Sequence, residues 1–129
     1  MESLVEGDLM PILQHRGIKI TQTSTRRKGS FGGKNFEFDI IAHNGGEIVL
    51  VEVKTTLKPD DVKDFVKKLD PAKTWLPEYR NFKICGAVAY LQANSAAPEF
   101  AQTQGLLVIR ATGNSAAIIN EADFVPKAF

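Results

Sequence analysis

The stretch Phe36–Lys54, FEFDIIAHNGGEIVLVEVK, reads as a β-hairpin carrying charged side chains where strands favour apolar ones. Its strands are Phe36–Ala42 and Glu47–Thr55, and Asn44, Gly45 and Gly46 between them offer the positive φ angles that tight hairpin turns require. Side chains alternate faces along a strand, so Glu52 and Lys54 share one. Phe36, Phe38 and Ile40 alternate on the first strand, and Val49, Val51 and Val53 on the second. Matching these apolar sets places Glu37, Asp39, Ile41, Ile48, Leu50, Glu52 and Lys54 on the opposite face. With Gly45 and Gly46 as the loop, Asp39 faces Glu52 and Glu37 faces Lys54. With Asn44 and Gly45 as the loop, Glu37 faces Glu52 and Asp39 lies diagonal to it. Either register gathers the same charged groups. Opposed β-carbons lie about 4.5–5.5 Å apart, so two carboxylates there repel unless a proton or cation sits between them; a divalent ion meets that need. A Glu-x-Lys strand also occurs as a solvated face with a cross-strand salt bridge. Here Ile41, Ile48 and Leu50 on the same face make a half-buried acidic pocket.

Working outward, Val5, Leu9, Ile12 and Leu13 stand at helical spacing within Ser3–Arg16, and Gly17 is a C-terminal stop. Pro11 either kinks this helix or delays its start until after Asp8, an N-cap residue. Gly17–Thr21 alternates as a short strand, and TQTSTRRKGSFGGKN (Thr21–Asn35) reads as a mobile loop concentrating Arg26, Arg27, Lys28 and Lys34. These bases interleave with Gly29, Phe31, Gly32 and Gly33, as suits a segment that wraps a backbone and contacts phosphates. Beyond the hairpin, Val62, Phe65, Val66 and Leu69 form the apolar stripe of a helix over Pro59–Leu69, with acids first and lysines last. Pro71 opens a second helical stretch that Pro77 interrupts. Lys83–Leu91 and Leu106–Ala111 are buried strands, with a helix over Ser95–Gln104 between them and an edge strand at Ala117–Ile119. Trp75, Phe82 and Tyr90 read as core.

The 129 residues suit one domain spanning 1–129, and 43% hydrophobic and 24% charged residues are the proportions of an ordinary globular protein. Formal net charge is +1, so attraction to a polyanion must come from a local patch. The lone Cys85, inside an apolar run, reads as a small buried hydrophobe, and a reducing cytoplasm is the expected compartment. The N-terminus carries acids where a secretory signal carries bases, and no apolar run approaches the roughly 18 residues of a membrane span. His15 and His43 have no Cys or His at ligand spacing, which leaves oxygen ligands for any metal.

Asp39 followed by Glu52-Val53-Lys54 resembles the signature of the PD-(D/E)XK nuclease superfamily: an Asp on one strand, then Glu or Asp, any residue and Lys on the next. The likeness covers Glu6–Arg110, where a helix, three strands, a helix and a strand stand in that family's order, and Phe38 replaces the nominal Pro before Asp39. LPEYRNFKICGAVAYL (Leu76–Leu91), with the later GLLVI, also resembles a prokaryotic group of short stand-alone domains in that superfamily. The resemblance implies a restriction-endonuclease-like α/β core, with a central mixed sheet of four to five strands flanked by helices in the order α-β-β-β-α-β-α-β. It implies Asp39 and Glu52 as carboxylate ligands of Mg²⁺ or Mn²⁺, with the Val53 carbonyl as a further ligand. Lys54 would hold or deprotonate the attacking water, and Glu6 would be an added acid from the first helix. Glu37 reads as the partner of Lys54. The implied activity is phosphodiester hydrolysis, with DNA the expected substrate. A single small domain carries one site, so cutting both strands of a duplex needs a homodimer or two binding events. Two alternatives fit the same residues: a nuclease-fold module that binds nucleic acid or a protein without cutting, and a structural sheet with a cross-strand salt bridge.

Overall fold

Two long, largely apolar strands, β3 (Glu47–Leu57) and β4 (Lys83–Ala93), lie parallel, with Val49 beside Cys85 and Val51 beside Ala87. A parallel pair needs a crossover connection, supplied here by α2 (Pro59–Leu69), the single turn α3 (Ala72–Trp75) and a 3₁₀ turn at Pro77–Tyr79. A second crossover through α4 (Ala97–Thr103) sets β5 (Leu107–Ala111) parallel to β4. Antiparallel strands extend the sheet on both sides: β2 (Lys34–His43) and β1 (Gln22–Phe31) beyond β3, and β6 (Ala116–Ile118) beyond β5. The result is a mixed sheet of six strands in chain order, and the computed structural model describes residues 1–129. The helix α1 (Glu2–His15) covers one face with Val5, Leu9 and Leu13, packed on Ile40, Ala42, Val49, Val51, Ala87 and Ile109. On the other face α2 and α4 bury Val62, Phe65, Leu69 and Ala101 against Ile41, Ile48, Leu50, Val88 and Val108. No helix is long and apolar enough to cross a membrane.

The helix α2 matches its expected span, and its entry is fixed by Pro59 at the start and by the Lys58 N–H donating to Asp61 Oδ2 at 2.9 Å. Elsewhere the structure departs from the pattern in the sequence. Residues 17–21 form no strand: Gly17, at φ +82°, closes α1 by donating to the Gln14 carbonyl, while the Ile18 N–H reaches Leu13. Pro11 sits inside α1 without delaying it, and Asp8 lies mid-helix, where Oδ2 accepts the Ala116 N–H at 2.9 Å rather than capping the helix. The polar stretch read as a loop is β1, paired with β2 from Gln22↔His43 to Phe31↔Lys34 except at Arg26, through a tight turn at Gly32 and Gly33, both at positive φ. An edge strand facing solvent needs no apolar alternation, and charged side chains there discourage pairing with other chains. Between β2 and β3, Gly45 and Gly46 do not take positive φ. The Asn44 side chain shapes that turn instead, its Oδ1 accepting the N–H groups of Gly46 at 2.8 Å and Glu47 at 2.7 Å.

The far edge of the sheet is closed by a side chain. Asn120, only 4% exposed, accepts the Val108 N–H on Oδ1 at 2.7 Å and donates from Nδ2 to the Leu106 carbonyl at 3.2 Å. The Arg16 guanidinium donates to the main-chain carbonyls of Asn120 and, at 2.8 Å, Glu121, which ties the end of α1 to this edge. Asn120→Ala leaves the Val108 amide unsatisfied. We expect a loss of about 1–3 kcal/mol of stability, read as a lower urea midpoint at unchanged slope.

Candidate active site

The β2–β3 ladder runs from His43↔Ile48 to Ile40↔Val51 and stops there. This register is the one with Gly45 and Gly46 as the loop, and it aims Asp39 at Glu52. Asn44 donates its N–H to Glu47, and hydrogen-bonded pairs alternate along an antiparallel ladder, so the rung after Ile40–Val51 falls at Phe38 and Val53. That rung is replaced: the Val53 N–H donates to Asp39 Oδ2 at 2.8 Å. A carboxylate thus stands where a main-chain carbonyl would, and the two strands part around it.

The substitution coincides with a local irregularity in β1 and β2, whose register is the same on either side of it. Pairing of β1 with β2 is interrupted at Arg26, opposite Asp39, and Arg26 has φ +55°. A non-glycine residue in that region costs on the order of 1–3 kcal/mol. Across this point the facing of side chains changes: Phe38 joins the core under α2 while Ile40, two residues on, joins the core under α1. Strict alternation, which groups Phe36 and Phe38 with Ile40, therefore fails at Asp39. Phe36 and Phe38 instead share the face of Ile41, Ile48 and Leu50, and Phe36 stacks on Trp75 at 4.9 Å between ring centroids.

Glu52, with its side chain 14% exposed, accepts from Lys68 of α2, whose Nζ lies 3.3 Å from Oε1. The same ammonium sits 5.2 Å from the centre of the Phe38 ring. Burial pushes the Glu52 carboxyl above its ordinary value; Lys68 pulls it back, the nearby Asp39 carboxylate raises it again, and Lys54 lowers it least. Lys54 lies 3.9 Å from Asp61 Oδ1, not beside Glu37 as expected. Lys68 and Asp61 are the participants the sequence reading left out of the site. They stand seven residues apart on α2, two turns and hence one face, and that spacing was the available signal.

Asp39, Glu52 and Lys54 are thus brought together, and Glu6 is not: on α1, across the sheet, its Oε2 accepts from the Thr23 hydroxyl at 3.2 Å. Of the basic segment, Arg26 pairs with Glu2 at 3.4 Å and Arg27 with Glu78 at 2.7 Å, whereas Lys28 and Lys34 are exposed and form no ion pair. Lys28 and Glu37 face each other across the β1–β2 ribbon and line a shallow groove of about 700 Å³ with Gly29, Ser30, Asn35 and Phe36. Nowhere do three His, Cys, Asp or Glu side chains gather as a metal-holding group. Two carboxylates completed by waters and substrate oxygens are nevertheless a usual protein share for Mg²⁺, so Asp39 and Glu52 fit that ion without Glu6. Cys85 offers no nucleophile, because burial pushes its thiol up to about 11.

No protein-family model matches the chain, and no curated protein does. Among solved structures it is similar to a protein of unknown function, AF1548, at 18% identity and a TM-score of 0.54, over 78% of this chain and 53% of that one. It is also similar to a repair endonuclease from Pyrococcus abyssi at 15% identity and a TM-score of 0.48, over 82% of this chain and 46% of that one. EndoMS in complex with double-stranded DNA follows at 14% identity and a TM-score of 0.47, over 80% and 42%. The chain spans about half the length of these proteins. The likeness to AF1548 is one of fold.

Because the folded state holds the Glu52 proton to higher pH than the unfolded chain does, this group's contribution to stability is greatest below the ordinary carboxylate value. It falls as pH rises through the raised one. Glu52→Gln should remove that downward slope from a series of urea-unfolding curves taken across the window, and an unchanged slope would assign it to another group.

Proposed function

We propose that the chain is a divalent-metal-dependent nuclease of the PD-(D/E)XK kind that hydrolyses phosphodiester bonds, with DNA as substrate. The observation that carries this reading is the replaced rung: Asp39 is drawn between the strands by the Val53 N–H, beside the half-buried Glu52 and with Lys54 two residues further along β3. A sheet serving only as scaffold would have no use for a carboxylate in place of a ladder carbonyl next to a second acid. The hydrogen bond to Oδ2 holds the Asp39 carboxylate in one orientation and leaves Oδ1 without a partner in the chain. Glu52 supplies the second oxygen ligand. The Val53 carbonyl points to the same side of its strand as the N–H, toward the gap between β2 and β3.

Mg²⁺ or Mn²⁺, held by Asp39, Glu52 and the Val53 carbonyl, would lower the pKa of a bound water and offset charge growing on the phosphate. Lys54, with its side chain 40% exposed, would orient that water or donate to a phosphate oxygen. Lys28 and Lys34 on the β1–β2 ribbon would meet the phosphate backbone. Arg26 and Arg27, held by Glu2 and Glu78, have less freedom to do so.

The expected outcome is cleavage of DNA that requires Mg²⁺ or Mn²⁺ and falls by roughly 100-fold or more in Asp39→Ala and in Lys54→Ala, read by gel assay on single- and double-stranded DNA and RNA. Equal activity in EDTA would sink the proposal. Binding without cleavage under any metal would instead favour a module that holds nucleic acid and does not cut it. The double variant Lys28→Ala, Lys34→Ala should weaken duplex binding and reduce the slope of log K against log salt by about two; an unchanged slope would remove the ribbon from the interface.

A further inference from the structure

The two charged groups of the motif are each met by an opposite charge from α2: Glu52 by Lys68 at 3.3 Å and Lys54 by Asp61 at 3.9 Å. The Glu52–Lys68 pair is not a solvated surface pairing. Glu52 is 14% exposed, Lys68 is 27% exposed, and the Lys68 ammonium lies over the rings of Phe38 and Phe65 at 5.2 Å and 5.9 Å from their centres. Phe38 and Phe65 are themselves fully buried, so the path of the Lys68 stem is set by the core. Its neighbour Lys67 points to solvent. Lys68 therefore occupies a defined position on the oxygen of Glu52 that faces α2.

We infer that Lys68 is the resting counter-ion of the two-carboxylate site and that a divalent metal binds by displacing its ammonium from Glu52. The inference rests on the proposed role of Asp39 and Glu52 as metal ligands. Two half-buried acids side by side are eased by a compensating cation, and Lys68 supplies one that belongs to the chain. A metal approaching Oε1 meets an ammonium already hydrogen-bonded there. It must break that bond and also sits near a positive charge. Lys68 is thus a positioning residue: it holds Glu52 in place until a metal binds, and its departure on loading frees a cationic side chain beside the place where a phosphate would lie.

The test is metal binding, independent of cleavage. Mn²⁺ is titrated into the full chain and free ion is read by electron paramagnetic resonance, for the wild type, Lys68→Met, Lys68→Gln, Lys68→Arg and the control Lys67→Met. The expected result is Mn²⁺ affinity roughly tenfold higher in Lys68→Met and Lys68→Gln, with less than about a twofold change in Lys67→Met, since that charge is distant and screened. Lys68→Arg, which keeps a cation on Glu52, should stay near the wild type. Gln retains a hydrogen-bond donor to Glu52 and serves if Met does not fold. In the wild type, the ε-carbon resonance of Lys68 should shift saturably with Mg²⁺. Unchanged or weaker Mn²⁺ affinity in the Met and Gln variants, with the wild type binding, overturns this inference alone. So does equal tightening in Lys67→Met. Absence of Mn²⁺ binding in the wild type and every variant overturns it together with the metal reading of Asp39 and Glu52.

Discussion

The hydrogen bond from the Val53 N–H to the Asp39 carboxylate is the point from which the candidate site is built. A main-chain donor in the middle of a sheet must find an acceptor, and in a regular hairpin the Phe38 carbonyl would provide it. Handing that role to a side chain ends the ladder at Ile40↔Val51 and lets β2 turn its phase, so that Phe38 and Ile40 serve opposite cores. The left-handed conformation of Arg26 on the neighbouring strand lies opposite Asp39, and the β1–β2 register is kept on either side of it. One replaced rung thereby opens a gap between two central strands, places an acid in it and keeps both faces of the sheet apolar on either side.

The second constraint comes from the crossover. Parallel pairing of β3 with β4 requires a helix to pass over the sheet, and the apolar stripe Val62, Phe65 and Leu69 decides which side of α2 faces down. Asp61 and Lys68, on the flank of that stripe, are then carried over Lys54 and Glu52. The burial that raises the Glu52 carboxyl is supplied by the same packing that brings Lys68 to it. Stability and charge compensation are thus products of one helix placement. They make the site a compact set of paired charges and not an open acidic cleft.

Part of this was legible from residue pattern. The span of α2, the start of β4, the place of the hairpin turn and the half-buried character of Glu52 follow from periodicity, because each depends on neighbours within one element or across one short turn; the choice between the two hairpin registers and the end of β4 at Ala93 do not. The polar strand β1 was not legible: its alternation is hidden by solvent exposure, and only pairing with β2 makes it a strand. Asp8 read as a cap because Pro11 follows it, yet its acceptor is taken by Ala116, far away in the chain. Glu6 read as a site acid from its helix, whereas the sheet separates it from Glu52.

By itself, then, the sequence determined which segments are buried, where the hairpin turns, and that Asp39, Glu52 and Lys54 meet, since those outcomes are governed by local spacing and by the cost of exposing apolar surface. The tertiary structure alone decided which face each group serves, that the strands part at Asp39, and that Lys68 and Asp61 rather than Glu6 and Glu37 complete the charge set. The physical reason is that a replaced ladder rung and a crossover helix are settled by packing between distant segments. Neither leaves a period in the chain from which it could be read.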